Sequence, residues 1–384
     1  MKEYITIQNF GPLKRLNAIE IKPFTILIGE SAIGKSTMMK IISMMRYVYK
    51  MTNIRSYLKL SNITSSPFRL RLENLMKKSE LWSLISAETI IDYEVQTNEG
   101  NSYHITIENK RLGKLPQIAK NDLLFIKVSF ISENRNIIPT WVEKASTNAG
   151  ASLGFYFHET NNDFALATEL DQTVDLNYVN LKLHISHPKG KKVKLRIEHK
   201  NDERIQLDLS EASSGIQTST PLALIVNHFA HTFSFKDAFN RSVLNYLHDI
   251  GRLTKFKAVT ESSDLENLIF VHVEEPELSL FPDAQCKLID ELIYNATHTV
   301  NDRKLSLMFA THSPYILNYI NIILHQNKEH RAHLDREDVA VYRLFDGEAQ
   351  NLMAEDEKGN TIVDTDDLTE MMGQIYQEFN SLAI

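Results

Sequence analysis

Apolar and polar positions alternate or cluster in short runs along most of the chain, a pattern that predicts an α/β protein. Residues 3–8 (EYITIQ) alternate and residues 20–28 (EIKPFTILI) run almost unbroken, so two strands are expected around a Gly11-Pro12 turn, the second fully buried. A glycine-containing loop follows. From Thr37 to about Tyr49, Met and Ile recur at helical spacing, which completes a strand, loop, helix unit. Residues 50–90 carry scattered Arg, Lys and Leu, are broken at Ser65-Ser66-Pro67, and read as a helical insertion of two exposed helices. Residues 89–108 read as an antiparallel hairpin turning at 98–101, and Asp122–Ile131 as a buried strand.

Residues 142–190 form a second insertion without a clear pattern; Asn148 to Asp175 opens as a loop and continues as a candidate helix. Lys191–Glu198 and Arg204–Leu209 predict a second hairpin. Beyond Gln217 the alternation is cleaner. Helices are expected to about Phe233 and near Lys236–Leu253, then a strand at Asn267–Val273 and a helix at Ala284–Tyr294. A strand at Leu305–Ala310, a helix at Pro314–Leu324, short strands at Val339–Leu344 and Ala349–Met353, and a terminal helix near Leu368–Phe379 complete the order. Antiparallel hairpins at the start and alternating helices and strands later imply one domain over 1–384 with a mixed parallel and antiparallel sheet.

With 384 residues, 43% of them hydrophobic and 24% charged, the chain can bury one large core. Its single cysteine, Cys286, cannot form an internal disulfide, and Glu3 and Tyr4 interrupt any secretory pattern at the amino end. No apolar run approaches the roughly 18 residues of a membrane span, so a cytoplasmic protein without a membrane partner is expected. A net charge of −7 argues against whole-surface attraction to nucleic acid. Lys189, Lys191, Lys192, Lys194 and Arg196 could still track phosphates, although a solvated strand face is the simpler reading. His228 with His231, and His184 with His187, lack a third ligand of metal-site type.

Gly29-Glu-Ser-Ala-Ile-Gly34-Lys35-Ser36 fits G-x-x-x-x-G-K-[ST] and lies after a buried strand and before a helix. Such a loop cradles phosphates with its backbone N–H groups, here at Gly29, Ser31, Ala32, Ile33 and Gly34, and the helix start adds partial positive charge. Lys35 is placed to reach the β- and γ-phosphates of ATP, Ser36 to hold Mg²⁺, and Thr37 to donate to the α-phosphate. Ile269-Phe-Val-His-Val-Glu274-Glu275-Pro-Glu277 is a buried strand ending in acids, which suits Glu274 to the Mg²⁺ shell and Glu275 to the attacking water. Helix capping would explain those acids alone; the glycine loop upstream favours the chemical reading. Ala212-Ser213-Ser214-Gly215-Ile216-Gln217 opens a helix and is either a serine cap or an anion site. Thr311-His312-Ser313-Pro314 lies between a strand and a helix.

In order and spacing, these segments resemble the ABC-type ATPases related to the heads of chromosome-maintenance and double-strand-break-repair proteins. The resemblance is nearest to the overcoming-lysogenization-defect type used in bacterial anti-phage defence. It rests on Asn9-Phe-Gly-Pro-Leu-Lys14, GESAIGKST, ASSGIQ, VEEPELSLFP and ATHSP, which bracket residues 5–318. It implies an ABC-type P-loop head in which ASSGIQ, with Ser214, Gly215 and Gln217, clamps the γ-phosphate bound by the opposite subunit. It further implies Glu275 as catalytic base, His312 as γ-phosphate sensor, and ATP with Mg²⁺ as cofactors. The third loop position, Asn in these relatives, is Ser31, and no metal-sensing Gln stands out. Ile131-Ser-Glu-Asn-Arg135 resembles the family's Ile-Pro-Ala-Glu-Arg, so Arg135 is a candidate nucleotide contact, with a surface salt bridge as the simpler role.

The resemblance also implies self-association, as a homodimer or larger homo-oligomer with composite ATP sites. A separate effector protein, a nuclease by class, and a phage-encoded trigger are the expected partners. A repair or recombination ATPase and an ATP-stabilised scaffold with little turnover are the alternatives; no sustained heptad run supports the arm of the former. Some relatives continue into a metal-dependent nuclease domain. Here Glu348 and Asp364-Thr-Asp366 lie too close together for that arrangement, so the expectation is a chain that ends as an ATPase head and acts through its partner.

Overall fold

Alternation in the opening segment becomes strand β1 (Lys2–Phe10), which turns at Gly11-Pro12 and returns as β2 (Leu13–Ile21), Glu3 facing Ile21. The computed structural model describes residues 1–63, 70–144, 153–189, 192–244, 247–248, 256, 265–300, 303–326, 332–366, 374 and 377–382. A single strand over 20–28 is not what forms. The chain leaves the first sheet at Lys22-Pro23, and β3 (Phe24–Ile28), buried throughout, enters a different one. Pro23 has no N–H for a ladder and its ring fixes φ, so the break falls where the apolar pattern alone shows none.

β1 and β2 join β4 (Ile85–Gln96), β5 (Ser102–Glu108) and β6 (Arg111–Leu112) in an antiparallel sheet of order β2-β1-β4-β5-β6. The second sheet has the order β15-β14-β3-β13-β12-β7. Its strands β7 (Leu124–Ile131), β12 (Glu266–Glu274), β13 (Arg303–Thr311), β3 and β14 (Val339–Phe345) are parallel, and β15 (Glu348–Asn351) is an antiparallel edge. Every residue of β12 except Glu266 is buried, as expected for a parallel strand covered on both faces. The protein is thus α/β with mixed parallel and antiparallel sheets.

Helix α1 (Lys35–Leu60) packs against β7, β12 and β13 of one sheet and β5 of the other. Apolar side chains surround it: Met38, Met39, Ile41, Ile42, Met45, Val48 and Tyr49 are all buried. It does not end near Tyr49. Met51, Ile54, Tyr57 and Leu58 remain in the core, so the 50–90 segment opens with the last turns of α1 rather than with an exposed helix. The second helix there is short, α2 (Leu72–Lys78), and the Ser65-Ser66-Pro67 break lies outside the described residues.

Within 142–190, α3 (Ile138–Lys144) leads in, α4 (Phe155–Ala167) packs on β7, and β8 (Gln172–Leu176) and β9 (Leu181–Ser186) begin a third, antiparallel sheet. It continues through β10 (Lys194–His199) and β11 (Asp202–Asp208), the second hairpin. Among the described residues the helices α5 (Ser214–His231), α6 (Phe235–Phe239), α7 (Pro282–Thr297) and α8 (Pro314–His325) follow. A two-stranded ladder, β16 (Met353–Glu355) with β17 (Thr361–Val363), follows β15, and residues 377–382 beyond it are helical. The helix expected at 236–253 begins as α6 and continues as a π-helical stretch, Asn240–Leu244, while residues 245–246 and 249–253, and most of the helix expected at 368–379, lie outside the described residues. Among the described residues no helix is long and apolar enough to cross a membrane.

Candidate functional site

Parallel register decides what meets at the carboxyl edge of the second sheet. Ile28 pairs with Thr311, Ala310 with Glu274, and Val273 with Ile131, so β3, β13, β12 and β7 all end at one level. The glycine loop, His312, Glu275 and the turn after β7 therefore leave the sheet side by side, where α/β proteins bind ligands. A cavity of about 240 Å³ lies there, lined by Ser31, Ala32, Gly34, Lys35, Ser36, Thr37, Glu274, Glu275, Ala310 and His312.

Gly34 caps α1 in a left-handed conformation, φ 110°, and a Cβ there would lie 2.9 Å from both Pro12 and Leu13. Only glycine fits such a position without strain. No side chain caps this helix start and its first turn holds no acid, which leaves its positive end available to an anion. The Lys35 ammonium donates to the carbonyls of Gly29 (2.8 Å) and Glu30 (2.7 Å) and lies 3.4 Å from Nδ1 of His312. Burial lowers its pKa, while Glu275 and Glu277 pull it back up. Gly29 and Ile33 shape the loop but do not line the cavity.

Glu274 is buried at the tip of β12. Burial pushes its carboxyl above the usual range; Lys40, the Ser36 hydroxyl and a backbone bond from Glu133 oppose this. A buried carboxylate beside a serine hydroxyl is a hard-oxygen pair suited to Mg²⁺, which takes one or two carboxylates and completes its shell with phosphates and water. Among the described residues no three His, Cys, Asp or Glu are grouped so that they could hold a metal ion.

Glu275 adopts φ 43°, uncommon for a residue with a side chain. Its N–H donates to the Ala310 carbonyl at 2.8 Å, and its carboxylate lies 3.8 Å from Nε2 of His312. Glu277 accepts from the His312 backbone N–H at 2.7 Å, so the third acid of the EEPE segment holds the histidine loop. Ser313 caps α8 through Ile316 N–H and donates to Gln285 at 2.6 Å. Glu277 and Lys40 received no role from sequence. Lys40 could have been found one helical turn after Ser36, at the i+4 spacing that puts both on one face.

The ASSGIQ segment is not in this cavity. Ser213 caps α5 with no side-chain bond, and Ser213 and Ser214 are exposed. Gly215 is buried, and a Cβ there would meet the Ser279 carbonyl at 2.6 Å. Gln217 is turned inward, donating to the carbonyls of Ser210 (3.1 Å) and Ala212 (2.7 Å), where it braces the turn before α5. Arg135 departs furthest from expectation. It is 0% exposed, which overturns the surface salt bridge, and it does not line the cavity. Its guanidinium donates to four main-chain carbonyls: Ser132 (3.0 Å), Thr218 (3.1 Å), Glu274 (2.6 Å) and Glu275 (2.5 Å). Burial lowers its pKa to about 10, against the pull of Glu277, Glu274, Glu275 and Glu133.

No protein-family model and no curated protein matches the chain. Among solved structures it is similar to an SMC head bound to the C-winged helix domain of ScpA, with 10% identity and a TM-score of 0.36 over 93% of this chain and 98% of that one. The SMC head domain from Thermotoga maritima is matched at 11% identity and a TM-score of 0.33, over 92% of this chain and 98% of that one. A dimeric ATP-binding cassette in a post-hydrolysis state, bound to ADP and Pi, is matched at 12% identity and a TM-score of 0.30, over 90% of this chain and 96% of that one.

Proposed function

We propose that this chain is an ABC-type ATPase head that binds Mg²⁺ and ATP and hydrolyses the nucleotide at composite sites between two copies. One observation carries the reading. The carboxyl edge of the sheet gathers Lys35, Ser36, Glu274, Glu275 and His312 around one cavity, while Ser213 and Ser214 stand exposed outside it. A second copy brings its exposed α5 start to the open side of that cavity, and the first copy returns the same contact, as two-fold symmetry requires.

In this arrangement the loop and Lys35 hold the β- and γ-phosphates, and Ser36 with Glu274 holds Mg²⁺, which neutralises phosphate charge. Glu275 orients a water and accepts its proton. His312, fixed by Glu277, contacts the γ-phosphate from the neighbouring strand end. By resemblance to the overcoming-lysogenization-defect type, and within it to the ATPases of the PARIS and Septu systems, the nucleotide state regulates a separate effector of nuclease class in anti-phage defence. A phage-encoded trigger acts on the same assembly. Of the segments 50–90 and 142–190, the parts offered for docking are 70–84 and 153–189, since 50–60 is taken up by the buried end of α1.

Removing the ammonium in Lys35→Ala should abolish binding of a fluorescent ATP analogue. Glu275→Gln should retain binding and slow single-turnover hydrolysis by about 10²-fold or more, the scale of a lost general base. The composite geometry is tested by mixing Lys35→Ala with Ser214→Glu chains. A glutamate at the α5 start suits the helix dipole but repels phosphate, whereas Gly215→Asp would strike Ser279 of its own chain. Partial recovery of ATPase activity is expected in the mixture. Activity in Ser214→Glu alone equal to that of the wild type would exclude α5 from the site.

A further inference from the structure

We infer that Arg135 is a positioning residue: it holds Glu275 in its hydrolytic conformation and ties that conformation to helix α5. The inference rests on the reading of Glu275 as the base. Three segments that share no sequence neighbourhood meet at this one side chain: the turn after β7 (Ser132), the tip of β12 (Glu274 and Glu275) and the second turn of α5 (Thr218).

The guanidinium is planar, with donors in a fixed fork, so carbonyls bound to it are held in one mutual arrangement. Glu275 needs such a hold. Its φ of 43° is a disfavoured backbone state for a side-chain-bearing residue, of a kind that persists only where surrounding bonds over-determine it. Three bonds do so here: its N–H donates to Ala310, and its carbonyl accepts from Arg135 and from the Leu278 N–H at 3.1 Å. Without Arg135 that carbonyl keeps only the Leu278 bond, which lies within its own turn and does not tie it to the rest of the site, so the peptide can relax and swing the carboxylate away from the cavity it lines.

The bond to Thr218 adds a second consequence. Thr218 lies one helical turn after Ser214, so a tilt of α5 as Ser214 engages the partner's nucleotide displaces the same guanidinium that fixes Glu275. Among the described residues Arg135 has no carboxylate ion-pair partner, so its charge leaves Glu274 and Glu275 unengaged by direct pairing.

The test uses Arg135→Lys and Arg135→Met in the full chain, each alone and in the Glu275→Gln background. Alone, each should lower kcat by about 10²-fold, the scale of a displaced catalytic group, with Arg135→Lys the milder. Affinity for a non-hydrolysable ATP analogue should stay within about twofold of wild type. In the Glu275→Gln background neither should slow hydrolysis further, because Arg135 acts through Glu275. Losses that multiply in the double variants, ATP binding lost along with kcat, or failure of both variants to fold would each make Arg135 a general structural residue and overturn the proposal. A wild-type chain that binds ATP and never turns it over would instead remove the hydrolytic reading itself, whatever the variants do.

Discussion

Two buried arginines act on the same strand, β12, and are satisfied in opposite ways. Arg46 of α1 works at the middle of the strand. It makes a two-pronged ion pair with Glu3 (2.9 and 2.8 Å), lies 3.1 Å from Nε2 of His272, and sits over the Phe270 ring at 4.1 Å. The Tyr93 hydroxyl donates to the same carboxylate, and Nδ1 of His272 lies 2.9 Å from the Ser129 carbonyl. Arg135 works at the strand's end and bonds only to carbonyls. Burial pulls both arginines down; Glu3 outweighs it at Arg46, whose pKa is raised, but the glutamates around Arg135 do not. The difference teaches where a protein can neutralise charge. A closed pair suits the scaffold that pins the antiparallel sheet, α1 and β12 together. At the proposed catalytic end a closed pair would occupy the carboxylate that the proposed chemistry needs.

The largest effect expected from breaking the scaffold half is in Glu3→Ala, which leaves the Arg46 charge buried and unpaired and should cost about 3–5 kcal/mol in urea unfolding. A loss below about 1 kcal/mol would mean Glu3 is not its essential counter-charge. Replacing both charges, Glu3→Met with Arg46→Met, should cost about 1–2 kcal/mol, less than Glu3→Ala alone, because only neutral groups on Tyr93 and His272 then lose partners. A double variant no more stable than Glu3→Ala would show that the ion pair is worth more than its desolvation.

Acid titration sharpens the contrast from the histidine's side. Burial and Arg46 hold the His272 pKa at about 3, far below an ordinary histidine. As pH falls below about 6.5 the unfolded chain gains a proton that the folded chain refuses, so stability drains away until about pH 3. His272→Asn should flatten thermal melts across that window relative to wild type. The smallest effect belongs to Glu274. Its folded pKa is raised by burial, so the folded chain binds the proton more tightly, and stability is lost as pH rises through the folded pKa. Glu274→Gln should therefore melt slightly higher than wild type at pH 7 without nucleotide, a gain that shrinks as both forms become neutral in acid. An equal melting temperature at every pH would mean that Glu274 carries no burial cost.

What could be read from the residues alone was local in the chain. A buried strand, a glycine loop and a helix start follow one another within residues 24–36, and Ile269–Glu274 announces its own burial and its acidic end. The two hairpins carry their turns with them, at 97–101 and 200–201. Pro23 ended a strand that the apolar run had extended, and the length of α1 was hidden because its last turns bury Thr52, Asn53 and Ser56, hydrogen-bonded polar residues that the pattern takes for an exposed face. The rest depended on which strands lie side by side. Parallel neighbours are joined by long crossovers, so β7, β12, β13 and β3 touch although they are spread over residues 24–311. That adjacency brought Arg135 under the carbonyl of Glu275, 140 residues away, and Arg46 against His272, 226 residues away. Neither pairing has a spacing rule that sequence could express, because a hydrogen bond reaches about 3 Å through space and is indifferent to the length of chain between its ends.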